Sequence, residues 1–277
     1  MRSTGHRRST PGVVLRLMGR RSPPPPMHAD ATLDGMRDTV DVGGARVSYL
    51  RAGTVGARRL ILVHGTPGQA RQWADYLVEP PPHLEVVALD RPGFGESGPD
   101  AAVTSLEAQA AAVSALLGPR ERPSILLGHS LGGAVVAEVA TRHPDRIAAV
   151  IFLAAAVDPG LERIHPLQHV ATWAPVRRLL GRTLRNANTE LMALKAGLER
   201  LAPRLPLIRA PALIVHGTAD DRVPFSNVVY LHRALTGARQ VETVTLKHAD
   251  HFLPWSAATV VREAISRAAA LSCRATP

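Results

Sequence analysis

Ser124-Ile125-Leu126-Leu127-Gly128-His129-Ser130-Leu131-Gly132-Gly133-Ala134-Val135-Val136-Ala137-Glu138-Val139-Ala140 decides the reading of this chain. A short apolar run with strand character leads into a serine flanked by glycines, and a run of small, helix-compatible residues follows. In that context G-x-S-x-G is a nucleophile elbow: a sharp strand-to-helix turn that lifts a serine hydroxyl clear of a sheet. Gly128 and Gly132 let backbone pass where side chains would block it. The helix that follows turns its unpaired N–H groups and positive dipole end toward the same spot. The alternative is a tight strand-to-helix turn with no chemistry.

A serine hydroxyl is a poor nucleophile at neutral pH and needs a neighbouring base. Histidine suits because its pKa lies near working pH, and a carboxylate must fix its tautomer. In a parallel α/β sheet these groups belong on loops beyond the C-terminal strand ends, in the chain order serine, acid, histidine. The run Ala212-Leu213-Ile214-Val215 leads into His216-Gly217-Thr218-Ala219-Asp220-Asp221, which makes Asp220 the candidate acid and Asp221 its understudy or a turn cap. The last apolar run leads into Lys247-His248-Ala249-Asp250-His251-Phe252, which makes His251 the candidate base. His248 reads as solvent-facing and Asp250 as a turn residue. Acyl transfer also needs two donors for the developing oxyanion. The backbone N–H of Leu131 is one, and that of Thr66 in His64-Gly65-Thr66-Pro67-Gly68 is the other, since Pro67 has none. His64 itself reads as a packed, structural imidazole. Asp90-Arg91-Pro92-Gly93-Phe94-Gly95-Glu96-Ser97 reads as a shaped scaffold loop.

Around these motifs the chain alternates strand and helix signals. Residues 39–42 and 46–50 read as a hairpin about Gly43-Gly44, and buried strands are expected at 60–63, 85–89, 124–127, 148–153 and 212–215, with a last strand at 241–246. Helices are expected at 69–77, 105–117, 133–140, 227–235 and 257–271. Continuous Val/Ile/Leu strands separated by helices imply a mostly parallel sheet covered on both faces, with an antiparallel start. Residues 156–207 break the rhythm: they carry no strand signal, only helix-prone stretches such as 176–184 and 189–201. They read as a small helical cap, with Leu179-Leu180 and Leu191-Met192-Ala193-Leu194 as an apolar roof or as the cap's own core. The organisation is therefore an arm over 1–36, a core over 37–155, a cap over 156–207 and the rest of the core over 208–277.

The five motifs His64-Gly65-Thr66-Pro67-Gly68, Asp90-Arg91-Pro92-Gly93-Phe94-Gly95-Glu96-Ser97, Gly128-His129-Ser130-Leu131-Gly132-Gly133, Gly217-Thr218-Ala219-Asp220 and Asp250-His251-Phe252 resemble, in this order, the α/β-hydrolase superfamily over roughly residues 38–272. The resemblance implies an eight-stranded, mostly parallel sheet with a cap after the sixth strand, and chemistry carried by Ser130, Asp220 and His251. One departure is Asp250, where the family often has glycine; a carboxylate there could raise the pKa of His251. Serine rather than aspartate at the elbow sets the chain apart from related dehalogenases and epoxide hydrolases. The leading expectation is a serine esterase cleaving carboxylic esters through an acyl-enzyme on Ser130. Carbon–carbon hydrolysis of activated ketones, or ligand binding without turnover, are the alternatives.

Composition bounds the rest. A chain of 277 residues, 45% apolar, suits one α/β enzyme domain. The formal net charge of +10 is carried by arginine, since Lys195 and Lys247 are the only lysines, and no nucleic-acid recognition motif accompanies it. The lone Cys273 permits no intrachain disulfide and no cysteine metal site. No metal or organic cofactor is expected, and the partner is a small-molecule ester with no stable membrane insertion. Residues 1–36, basic and then Pro23-Pro24-Pro25-Pro26, read as a disordered arm or an extension ahead of a start at Met27 or Met36. A cytoplasmic location follows, with export through the basic arm as the alternative.

Overall fold

Leu60 and Leu62 point to one face of their strand and Ile61 and Val63 to the other, and this alternation divides the molecule into two apolar layers around one sheet. The computed structural model describes residues 30–273. Eight strands form the sheet: β1 (Arg37–Val42), β2 (Ala45–Gly53), β3 (Arg58–Val63), β4 (Leu84–Leu89), β5 (Ser124–His129), β6 (Ile147–Leu153), β7 (Ala212–Gly217) and β8 (Val241–Leu246). Their spatial order is β1-β2-β4-β3-β5-β6-β7-β8. β1 and β2 pair antiparallel, as do β2 and β4, and every later pair is parallel. This is the mostly parallel sheet with an antiparallel start that the strand patterns imply. The four central strands are buried along nearly their whole length, which is why they read as unbroken Val/Ile/Leu runs.

Helix α1 (Asp30–Asp34) precedes the sheet, and α2 (Ala74–Val78), continuing a short 3-10 turn over Ala70–Trp73, follows β3. Next come α3 (Leu106–Ser114) and α4 (Leu131–Arg142). Ser105 starts α3 by accepting the Ala108 N–H at 3.2 Å. Between β6 and β7 lie α5 (Pro166–Thr172), α6 (Ala174–Leu179), α7 (Arg182–Leu201) and a 3-10 segment over Ala202–Leu207. After them come α8 (Ser226–Ala234), α9 (Leu253–Ser256) and α10 (Ala258–Cys273). Residues of α3, α4, α7 and α8 join one apolar layer, and those of α1, α2 and α10 the other. α4 is buried over nearly its whole length because it is pressed between the sheet, α3 and the insert.

Two expectations change. Residues 1–29 of the expected arm lie outside the described residues, but residues 30–34 are helical and Leu33 is buried against the second layer, so the fold begins ahead of residue 37. In the insert, the stretch expected to be helical over 176–184 is cut at Leu180-Gly181, both extended, and a single helix of 20 residues runs from Arg182. Between the two expected stretches, residues 185–188 carried no helix signal because Asn186 and Asn188 are weak helix formers; tertiary hydrogen bonds carry the helix through them. Leu179, expected in an apolar roof, is 87% exposed, whereas Leu194 is buried in the first layer.

Candidate active site

Ser130 sits at φ +56°, ψ −126°, between the last residue of β5 and the first of α4. A non-glycine residue in the left-handed region is held there only by its surroundings. Its N–H donates to Leu153 O at 3.0 Å, and its carbonyl accepts from Gly133 N at 2.9 Å and Ala156 N at 3.1 Å. A Cβ on Gly132 would run into the Val63 carbonyl, so only glycine lets α4 start this close to the end of β3. Beside it lies the loop after β3: a Cβ on Gly65 would stand 2.8 Å from Ser130 Cβ and 3.3 Å from Ser130 Oγ. The N–H groups of Thr66 and Leu131 make no hydrogen bond among the described residues. The Thr66 hydroxyl is also buried without a partner.

The loops after β7 and β8 meet. His251 Nδ1 donates to Asp220 Oδ2 at 2.7 Å, and both side chains are nearly fully buried. Asp220 Oδ1 accepts from the backbone of Arg222 at 2.9 Å and Val223 at 2.8 Å. Burial works to raise the Asp220 pKa, but the hydrogen bond and charge of His251 and these two N–H groups outweigh it and keep the carboxylate below its ordinary range. With Nδ1 committed, Nε2 of His251 makes no protein hydrogen bond among the described residues. Neither does the Ser130 hydroxyl.

The loop that carries His251 is held to the elbow by a residue to which the sequence assigned no role. His129, the middle residue of Gly128-His129-Ser130, donates from Nε2 to the His251 carbonyl at 3.0 Å. The two rings lie against each other, tilted by 38° with centroids 4.8 Å apart, and Trp255 packs edge-on against His129. Burial, and then the proximity of His251, push the His129 pKa down to about 3, so it is a neutral strut between the elbow and the histidine loop. Nothing in the local sequence marks it, because its partner is 122 residues away.

Two neighbours behave as simple structural groups. Asp250 Oδ1 accepts the Phe252 N–H at 3.0 Å and so shapes the turn. His248 is exposed.

The loop after β4 is more than a shaped turn. Arg91 is fully buried, and its guanidinium grips Glu190 of α7 at 2.7 and 3.0 Å. The same side chain donates to His64 O and Gly65 O, both at 2.9 Å, and lies over the Phe94 ring. Gln109 of α3 completes the pair by donating to Glu190 at 2.9 Å. His64 is held at both nitrogens, Nδ1 by Gly65 O at 2.7 Å and Nε2 by the Arg91 N–H at 3.0 Å. Burial, and then the Arg91 cation, hold its pKa well below the ordinary value. Arg91 therefore fixes the carbonyls that lead into Thr66, and Glu190 ties that fixation to the insert. Among the described residues no group of histidines, cysteines and carboxylates could hold a metal ion.

Residues 60–264 match the model of the Alpha/beta hydrolase family. Over 114 residues the chain is 36% identical to the dihydrolipoyllysine-residue acetyltransferase component of the acetoin cleaving system of Cupriavidus necator, which is 41% of this chain but only 30% of that protein's length. It is 29% identical over 226 residues to the pimeloyl-[acyl-carrier protein] methyl ester esterase of Neisseria meningitidis serogroup C, covering 69% of this chain and 87% of that one. The fold superposes on the crystal structure of a membrane phospholipase A with a TM-score of 0.68 at 23% identity, covering 88% of this chain and 90% of that chain.

Proposed function

We propose, on the premise that this chain belongs to the alpha/beta hydrolase family, that it is a serine hydrolase of carboxylic esters. The relatives named esterase and lipase support ester hydrolysis in general. In the proposed reaction Ser130 Oγ attacks the acyl carbon while His251 Nε2 takes the hydroxyl proton. Asp220 holds the other ring nitrogen protonated and steadies the imidazolium that forms. The carbonyl oxygen gathers charge between the N–H groups of Thr66 and Leu131. Collapse expels the alcohol, which receives the proton from His251. Water, deprotonated by the same imidazole, then attacks the acyl-serine and releases the acid. No step calls on a metal or an organic cofactor. The insert between β6 and β7 is read as a cap over this site, and the substrate as a small or medium ester.

The observation that carries the reading is the His251–Asp220 hydrogen bond of 2.7 Å, in a loop that His129, the residue before the serine, holds through its ring. The test is Ser130→Ala with a series of p-nitrophenyl esters and a fluorophosphonate probe. Turnover should fall about a thousandfold or more, and the probe should label the native chain alone. Undiminished turnover by Ser130→Ala would overturn the mechanism. Labelling without product release would leave a binding protein, and cleavage of vinylogous diketones in place of esters would move the reaction to a carbon–carbon bond.

A further inference from the structure

Helices α5 and α6 contain no buried residue at all. A short helix normally persists because one face is covered. Of the eight large apolar side chains left exposed among the described residues, five (Ile164, Leu167, Val170, Trp173 and Leu179) fall on these helices or just ahead of them, with Trp173 66% and Leu179 87% exposed. The charge of the same stretch is one-sided. From residue 163 to residue 189 there is no aspartate or glutamate, while arginine occurs at 163, 177, 178, 182 and 185. Arg182 is bonded to carbonyls of the loop after β4 and faces Asp100. Arg163, Arg177 and Arg178 are exposed and make no ion pair among the described residues. Arg177, Arg178 and Arg185 surround a cavity of about 450 Å³ beside Ala174 and Asn186; its one carboxylate, Asp100, is the partner of Arg182.

We infer that α5 and α6 form a docking face for an anionic lipid surface. Large aliphatic groups and a tryptophan beside unpaired arginines are the composition of a helix lying in a membrane interface. The apolar side chains would enter the acyl boundary, while Arg177, Arg178 and Arg185 would meet lipid phosphates at the cavity mouth. A folded acidic protein would account for the charge alone. It would not call for five bulky apolar groups left in water along one stretch of chain. No helix among the described residues is long and apolar enough to cross a membrane, so the association would be peripheral. It stands apart from the proposed catalysis, because the face includes none of the residues assigned to the reaction.

The test is co-sedimentation with vesicles of phosphatidylcholine alone and of phosphatidylcholine mixed equally with phosphatidylglycerol. Both the native chain and Ser130→Ala are used, so that lipid hydrolysis and lipid binding are read separately. Binding should require the anionic lipid and weaken as salt is added. The double variant Arg177→Glu/Arg178→Glu should lower vesicle affinity more than tenfold, and Trp173→Ser/Leu179→Ser should lower it at every salt concentration. Both should keep native turnover of a soluble ester. Failure to bind anionic vesicles would overturn the inference, as would binding unmoved by both variants. A reversible dimer in sedimentation velocity that Trp173→Ser/Leu179→Ser abolishes would assign the face to a second copy of this chain instead.

Discussion

The two ends of the insert between β6 and β7 follow opposite rules. The first half of α7 is polar where it meets the loop after β4, with Arg182, Asn186 and Glu190, spaced four apart, all pointing into it, before Leu194, Leu198 and Leu201 carry the helix into the apolar layer. Asn186 donates to Gly93 O and Asp100 O at 2.8 and 2.9 Å, and Glu190 receives Arg91 and Gln109. α5 and α6 are apolar where they meet water. A sequence rule that puts apolar groups inside and charged groups outside therefore misplaces Leu179 and Trp173 on one side and Glu190 on the other. The difference is explained by what each half must satisfy. α7 neutralises a guanidinium that the fold has already buried beneath the Gly65 carbonyl, and burial of that charge is tolerable only with a matched carboxylate. α5 and α6 face no such demand from within the molecule.

Removing the anchor on the wired side should have the largest effect. Glu190→Ala leaves Arg91 buried and unpaired, and should cost about 3–5 kcal/mol of stability, read as a fall in the denaturant midpoint. Replacing both partners, Arg91→Met/Glu190→Met, should restore much of that stability. It should not restore rate, because the His64 and Gly65 carbonyls lose their donors and Gly65 lies against Ser130. A double variant that melts like the native chain and also turns over like it would show that the pair does nothing for the loop beside the serine. Leu194→Ala, on the same helix, should cost about 2–5 kcal/mol, as at other packed leucines.

A smaller effect concerns acid. His129 is buried and neutral with its pKa pushed down from 6.5 to about 3, so between those values the unfolded chain binds a proton that the native chain refuses. Native stability therefore falls as pH falls through that window. By about pH 5 the loss from His129 alone is roughly 2 kcal/mol, at about 1.4 kcal/mol per unit. His129→Asn should make calorimetric stability between pH 7 and 5 fall less steeply, as an outcome separate from any loss of the strut to His251. His64 and His216, also buried with lowered pKa values, would keep part of the slope. An unchanged slope would show that His129 is not the group that titrates.

These contrasts also mark how far the sequence could be read. The sheet was legible because each central strand is buried on both faces, leaving nothing but Val, Ile, Leu and Ala to occupy 60–63 or 212–215. The meeting of Asp220 with His251 was legible because both follow strand ends in a parallel sheet, a rule of topology that needs no long-range contact. Arg91 was not. Its loop shows its Pro and Gly residues, but the partner that makes a buried cation tolerable lies 99 residues downstream. His129 was hidden for the same reason. The continuity of α7 across residues 185–188 was missed because Asn186 argues locally against helix, and the hydrogen bonds that overrule it belong to the loop after β4. A polar residue at every fourth position, 182, 186 and 190, was the available signal.

The smallest expected effect is the most pointed. Leu179→Ala should change stability by no more than about 0.5 kcal/mol, as for other exposed positions. The argument is one of area. Leu179 is 87% exposed, so truncation removes almost no contact that folding has made, whereas the leucine at 194 is enclosed by the first apolar layer. Trp173→Ser, at 66% exposure, should lose only slightly more. Denaturant melts of Leu179→Ala and Leu194→Ala side by side give the comparison in its simplest form: one residue type, one insert, and two costs that should differ severalfold. Equal costs would mean that α5 and α6 are packed in solution in a way that the exposure of these side chains does not reveal. The bare half of the insert would then be folded against its own protein and have nothing left to offer a surface.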